Sequence, residues 1–140
     1  MIRSFQTADL DTLMRIWLEG NLDAHPFIPA GYWRGQAEAV RGMLPGAELL
    51  IYDAGGGPEG FLGLYEGEIA GLFVRREARG RGIGHALLGA AKERYPSLTL
   101  RVYRENRRAR AFYAREGFLP CAAQTDAATG AAEYLLRWTR

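Results

Sequence analysis

The sequence predicts one α/β domain built on a mixed, mainly antiparallel sheet of six or seven strands with helices on both faces. Two observations carry that expectation. Three short strand-like segments follow one another between Glu48 and Val74, separated only by turn residues, which predicts an antiparallel meander. After them a glycine-rich turn opens an apolar-faced helix that leads to a further alternating segment, which predicts a βαβ unit.

The elements are read in chain order. Residues 2–5 form a short strand, and Asp9 stands where it can cap a helix whose apolar residues Leu10, Leu13, Met14, Trp17 and Leu18 recur at helical spacing. Residues 21–33, with Pro26, Pro29 and Gly31, break the period, and a second helix is expected from about Gly35 to Leu44. Strands are expected at 48–53 and 61–65 across the turn Gly55-Gly56-Gly57-Pro58, and at 69–74 after Glu66-Gly67-Glu68. From Ile83 the apolar positions Ala86, Leu87, Ala90 and Ala91 are helical until Pro96, and Leu98, Leu100 and Val102 alternate as a strand. A last helix spans 107–116, closed by Gly117, before strands at 118–123 and 132–138.

With 140 residues, 48% of them hydrophobic, the chain has material for one core, so residues 1–140 are read as one domain. No apolar run is long enough for a signal peptide or a membrane span, and the expected location is cytoplasmic, with no membrane partner. Cys121 is the only cysteine, and His25 and His85 show no ligand spacing, so neither a disulfide nor a metal site is expected. Charge is uneven: residues 1–74 hold four arginines against ten acids, whereas residues 75–115 hold eleven arginines and Lys92 against three acids. Because those arginines surround one glycine turn and two short helices rather than forming a stripe, an anionic small ligand is expected and no nucleic acid.

The run Arg79-Gly80-Arg81-Gly82-Ile83-Gly84 lies between an apolar strand and an apolar-faced helix, where backbone N–H groups and the helix dipole make a phosphate site. It lacks the Lys-Ser/Thr of a Walker loop and the spacing of a dinucleotide fingerprint. With Leu72-Phe73-Val74 before it, and Asn106, Phe112-Tyr113 and Gly117-Phe118 after it, the segment resembles the GNAT superfamily of acetyl-CoA-dependent N-acetyltransferases, whose loop reads Arg/Gln-x-x-Gly-x-Gly/Ala. Within it, Met1-Ile2-Arg3, Trp17-Leu18-Glu19, His25-Pro26-Phe27-Ile28 and Tyr32-Trp33-Arg34 are similar to bacterial YiaC-type proteins, some of which acetylate lysine.

The resemblance implies acetyl-CoA as cosubstrate, parallel strands 69–74 and 98–102 splayed to admit it, and direct attack by an amine, on a small molecule or a protein lysine. It implies coenzyme contacts from Leu72, Phe73, Val74, Arg79, Gly80, Arg81, Gly82, Ile83, Gly84, Asn106 and Tyr113. A lysine amine with a pKa near ~10.4 is neutral only ~1 part in 2,500 at pH 7, so deprotonation costs about 4.6 kcal/mol. Glu68 stands at the carboxylate position that histone-type members use as base, and a solvated hairpin carboxylate is its plain alternative. Glu66 is two residues away and His25 is a second candidate base. Tyr113 matches the tyrosine that protonates the departing thiolate, with core packing as the alternative. Asn106 serves the pantetheine arm, caps a helix, or does both. Phe27, Tyr32 and Trp33, with His25, shape an acceptor pocket or plug the sheet. A non-catalytic acetyl-CoA-binding module is the rival reading, which a missing Tyr113 would have favoured. The chain is expected as a monomer or homodimer.

Overall fold

The alternation of residues 48–53 divides the hydrophobic interior in two. In the computed structural model, which describes residues 1–140, strand β2 (Glu48–Asp53) turns Leu49 and Ile51 toward Leu13, Ile16, Trp17, Trp33 and Phe61. Leu50, between them, points the other way, toward Leu62, Ile83, Leu87, Leu88, Leu98, Leu100 and Tyr113. A strand buried on both faces needs a helical layer on each. Helices α1 (Leu10–Ala24) and α2 (Ala30–Met43) cover the first face, and α3 (Ile83–Arg94) and α4 (Arg107–Arg115) the second. None of these helices is long and apolar enough to cross a membrane.

The sheet has seven strands in the order β1-β2-β3-β4-β5-β7-β6, with β1 (Ile2–Arg3), β3 (Pro58–Tyr65), β4 (Glu68–Val74), β5 (Ser97–Tyr103), β6 (Leu119–Thr125) and β7 (Ala132–Thr139). Every pair is antiparallel except β4 and β5, joined through α3 as the predicted βαβ unit. That parallel pair keeps only two register positions, Glu68 with Thr99 and Ile69 with Leu100. Beyond them β4 stays with β3 up to Val74 and Gly60, while β5 stays with β7 up to Tyr103 and Glu133, so a wedge opens in mid-sheet. A bulge contributes: Leu64 pairs with Ile69 and Gly63 with Gly71, leaving Ala70 as an extra residue that bends β4.

Several expectations are corrected. Helix α2 begins at Ala30, five residues before the expected start, because Pro29 sets the chain for a first turn and Trp33, Ala37, Val40 and Leu44 continue one apolar stripe through Gly35. Tyr32 and Trp33 are therefore helical rather than loop residues. Asp9 does not cap α1: its carboxylate accepts from the Gln6 N–H at 2.8 Å and pairs with Arg3 at 2.8 Å, closing a short 3-10 turn ahead of the helix. Glu66 and Gly67 both have positive φ, 49° and 85°, as a two-residue hairpin between β3 and β4 demands. Glu66 consequently lies outside the strand.

Candidate active site

The wedge is the mouth of a cleft of about 780 Å³, within the range of small-molecule sites. Leu72, Phe73 and Val74 form one wall, the turn 79–84 and the first residues of α3 a second, and Asn106, Ala109, Phe112 and Tyr113 of α4 and its cap a third. Gly20 and Ala24 of α1 close the end. Because β5 has diverged, backbone groups of β4 past Ile69 that point toward it have no strand partner and are free to bond a ligand.

Two glycines show why the turn is composed as it is. Gly82 caps α3 with φ 82°, and an added Cβ there would meet nothing within 4 Å, because it would project into open space at the helix N-terminus. The space at this helix N-terminus is therefore clear, at the point where the helix dipole favours anions. At Gly84 a Cβ would come within 3.3 Å of Phe112 Cζ, so this glycine lets α3 approach α4. The Phe73 ring lies over Gly71, leaving no room for a Cβ there, and against Gly20, where a Cβ would sit 3.0 Å from Phe73 Cδ1.

Of the eleven predicted coenzyme residues, ten line the cleft; Arg81 is exposed and outside it. Arg79 lines it, but its guanidinium is occupied: Nε donates to the Val74 carbonyl at 3.1 Å and Nη1 to Asp23 at 3.2 Å. Asp23 also takes a two-point contact from Arg76 at 3.0 and 2.9 Å, which with Arg79 holds its carboxyl below the usual range. Arg79 thus ties the turn to β4 and α1. Sequence reasoning missed Asp23, and also the small pair Gly20 and Ala24, whose four-residue spacing on one helix face was the available signal. Arg108 and Arg115 add positive charge to the rim, whereas Glu116 is paired with His85 at 2.9 Å.

Tyr113 is buried in the wall, and no protein group bonds its hydroxyl. Burial pushes its pKa well above the ordinary phenol value, so the proton stays on. Asn106 caps α4, its Oδ1 accepting from the Ala109 N–H at 3.2 Å, which turns its amide NH₂ toward His25 Nε2 at 3.4 Å. Asn106 thus caps a helix and also lines the cleft.

The acceptor candidates lie on the α1/α2 face of the sheet. His25 stacks on Trp33 with centroids 5.2 Å apart and meets Phe27 and Tyr103 edge-on at 5.7 and 5.0 Å. Burial lowers its pKa to about 4, so it is neutral at pH 7 and too weak a base to draw a proton from an amine efficiently. Trp33 is core, packed edge-on against Trp17 at 6.2 Å, and Tyr32 leans on it at 4.9 Å; they support His25 and do not line the cleft. Glu68 is outside the cleft lining, in the closed part of the β4–β5 pair, 3.5 Å from Arg101. No sequence signal pointed to Tyr103, whose hydroxyl donates to Asp126 at 2.5 Å.

Comparison with known proteins agrees with this geometry. Residues 45–120 match an acetyltransferase (GNAT) domain. The peptidyl-lysine N-acetyltransferase YiaC of Escherichia coli (strain K12) is 37% identical over 142 residues, covering 99% of this chain and 96% of that protein. The peptidyl-lysine N-acetyltransferase YjaB of the same organism is 31% identical over 84% of this chain and 80% of its own length. The solution structure of apo YjaB from Escherichia coli superposes with a TM-score of 0.88 at 28% identity, over 99% of this chain and 96% of that one. The chain belongs to the GNAT acetyltransferase family, and it is an N-acetyltransferase that passes an acetyl group to an amine.

Proposed function

We propose that the acceptor is a lysine side chain of a peptide or protein, and that acetyl-CoA, the family's acetyl donor, is held in the wedge between β4 and β5. The observation that carries this reading is the wedge itself, with free β4 backbone on one wall and an unbonded Tyr113 hydroxyl on another. The names of the two Escherichia coli relatives support lysine as the acceptor.

The N–H groups of the turn 79–84 and the start of α3 would hold the pyrophosphate, and Asn106 the pantetheine arm. Backbone N–H groups at Phe73 and Val74 would polarise the acetyl carbonyl, where charge builds as the amine adds. When bound, acetyl-CoA supplies a thioester, a leaving group that needs a donor at sulfur. Tyr113 is protonated at neutral pH and its hydroxyl has no protein partner, so it can hydrogen-bond that sulfur and donate its proton as the thiolate develops charge. Glu68, on the same side of the sheet as the acceptor candidates, would take the amine's proton through water; His25, stacked on Trp33, is the second candidate. His25 and Phe27 would bound the acceptor's path, with Tyr32 and Trp33 behind them.

The test offers acetyl-CoA with lysine peptides, intact proteins and small amines, reading thiol release and mass gain. Acetylated lysines are the expected outcome, and turnover confined to small amines would reject lysine as the acceptor.

A further inference from the structure

Two carboxylates in the chain are more than nine-tenths buried, and only one has a cation. Asp9, 5% exposed, is paired with Arg3 at 2.8 Å, whereas Glu133, 7% exposed, has no ion-pair partner. Its one side-chain bond comes from Gln124 Nε2, at 2.6 Å to Oε2. The sealed side-chain polar atoms that lack a partner are His25 Nδ1 and Trp33 Nε1, so Glu133 Oε1, which accepts from no donor, retains access to solvent. A carboxylate with one oxygen unpaired, open to solvent and without a counter-charge can accept a charge-assisted hydrogen bond from a cationic ligand.

Register locates the group. Glu133 on β7 lies opposite Tyr103 of β5 and Gln124 of β6, in one row on the α1/α2 face. Tyr103 is the residue against which His25 and Phe27 pack, and Asp126 at the end of the row receives its hydroxyl, adding a second negative charge. Of the cations on this face, Arg101 is engaged with Glu68 at 3.5 Å and also acts on Asp126, and Arg137 lies four residues further along β7. Because β5 has diverged from β4 at Tyr103, Glu133 lies more than two strand spacings, about 10 Å, from β4, too far to hold the reacting amine itself. An extended peptide carries same-side residues about 7 Å apart, which brings a neighbouring side chain within reach of the carboxylate.

We infer that Glu133 is the acceptor-selecting residue of this site: its carboxylate receives a lysine or arginine side chain lying within two residues of the acceptor lysine. This rests on the reading that the acceptor is a peptide lysine. The enzyme therefore selects basic patches on its protein substrates, where one positive charge is held at Glu133 while the neighbouring amine is acetylated.

The experiment measures kcat/KM for two peptides with one acceptor lysine each, differing only in arginine or glutamine two residues away. The wild-type enzyme should favour the arginine peptide about tenfold, a preference that weakens with salt. Glu133→Gln should bring the ratio close to one, and Glu133→Lys should favour a peptide with glutamate at that position. Equal turnover of the two peptides by the wild-type enzyme would overturn the inference and leave the proposed function standing, and this holds even if the variants do not fold. No turnover of any peptide would overturn both together. A wild-type preference that persists in a folded Glu133→Gln protein would also overturn it.

Discussion

The two faces of the sheet are built on different plans. On the α3/α4 face the cleft is made largely of backbone: free β4 groups, the turn 79–84 and the N-terminus of α3, with side chains such as Phe112 setting distances. On the α1/α2 face the candidate acceptor surface is made of side chains from scattered positions, His25, Phe27, Glu68, Tyr103, Asp126 and Glu133. On the proposed reading, the backbone site would meet the pyrophosphate and the amide-bearing arm of acetyl-CoA with few side chains to alter. A side-chain site can be rewritten one residue at a time. One fold can thus keep its donor and change its acceptor.

If the coenzyme face depends on open backbone, the largest loss should follow from closing it. Gly82→Glu puts a carboxylate into the clear space at the helix N-terminus, and like charges pressed together cost several kcal/mol, so acetyl-CoA affinity should fall roughly 10³-fold or more. The positive φ of 82° adds strain of about 1–2 kcal/mol to the fold. Calorimetry on folded protein is the measurement, and unchanged affinity would remove the turn from the site. Next in size is Tyr113→Phe, which keeps the ring in the wall and deletes the donor. Turnover should fall ~10²- to 10⁴-fold, about 2.7 to 5.4 kcal/mol of barrier, with affinity for acetyl-CoA little altered. Turnover within twofold of the parent would give the proton to water.

The same division explains what could be read from the sequence. The meander, the βαβ unit and the turn 79–84 are local: each is a run of neighbouring residues whose spacing reports its own geometry. Asn106 and Tyr113, which the family resemblance named, both line the cleft because they sit within one helix and its cap. Glu133 was not legible, since its meaning comes from being opposite Tyr103 and from lacking a cation, and neither is a property of neighbours in sequence. Trp33 misled because a large aromatic beside two prolines suggests a loop, whereas the stripe through Ala37 and Val40 makes it helical core.

His25 gives a test of the acceptor face by stability. Its folded pKa of about 4 lies below the 6.5 of the unfolded chain, so between those values the unfolded state binds the additional proton. Its contribution is fully present above pH 6.5 and is lost as pH falls toward 4, by up to about 3 kcal/mol. Urea unfolding at pH 7.5, 5.5 and 4.5 should show this loss in the parent and a flatter dependence in His25→Phe, which keeps an aromatic ring on Trp33. Coincident slopes would mean that His25 is not held neutral by its surroundings.

The smallest effect is expected at Glu68, where the comparison between faces is sharpest. It lies in the closed part of the β4–β5 pair and shares its charge with Arg101, so any proton it takes from the amine travels through water. General bases contribute ~10²- to 10⁴-fold when they bond their proton directly, and a relayed, partly neutralised carboxylate falls below that range. Glu68→Gln should therefore slow turnover about tenfold at pH 7. Raising the pH to 9 increases the neutral fraction of a lysine roughly 100-fold, which removes most of the need for a base, so the deficit should shrink to about twofold. Arg101→Gln, which frees the carboxylate, should not lower turnover at pH 7. A Glu68→Gln deficit that stays constant from pH 7 to 9 would mean that the carboxylate acts by shaping the strand pair, and the proton would then have to leave through water alone.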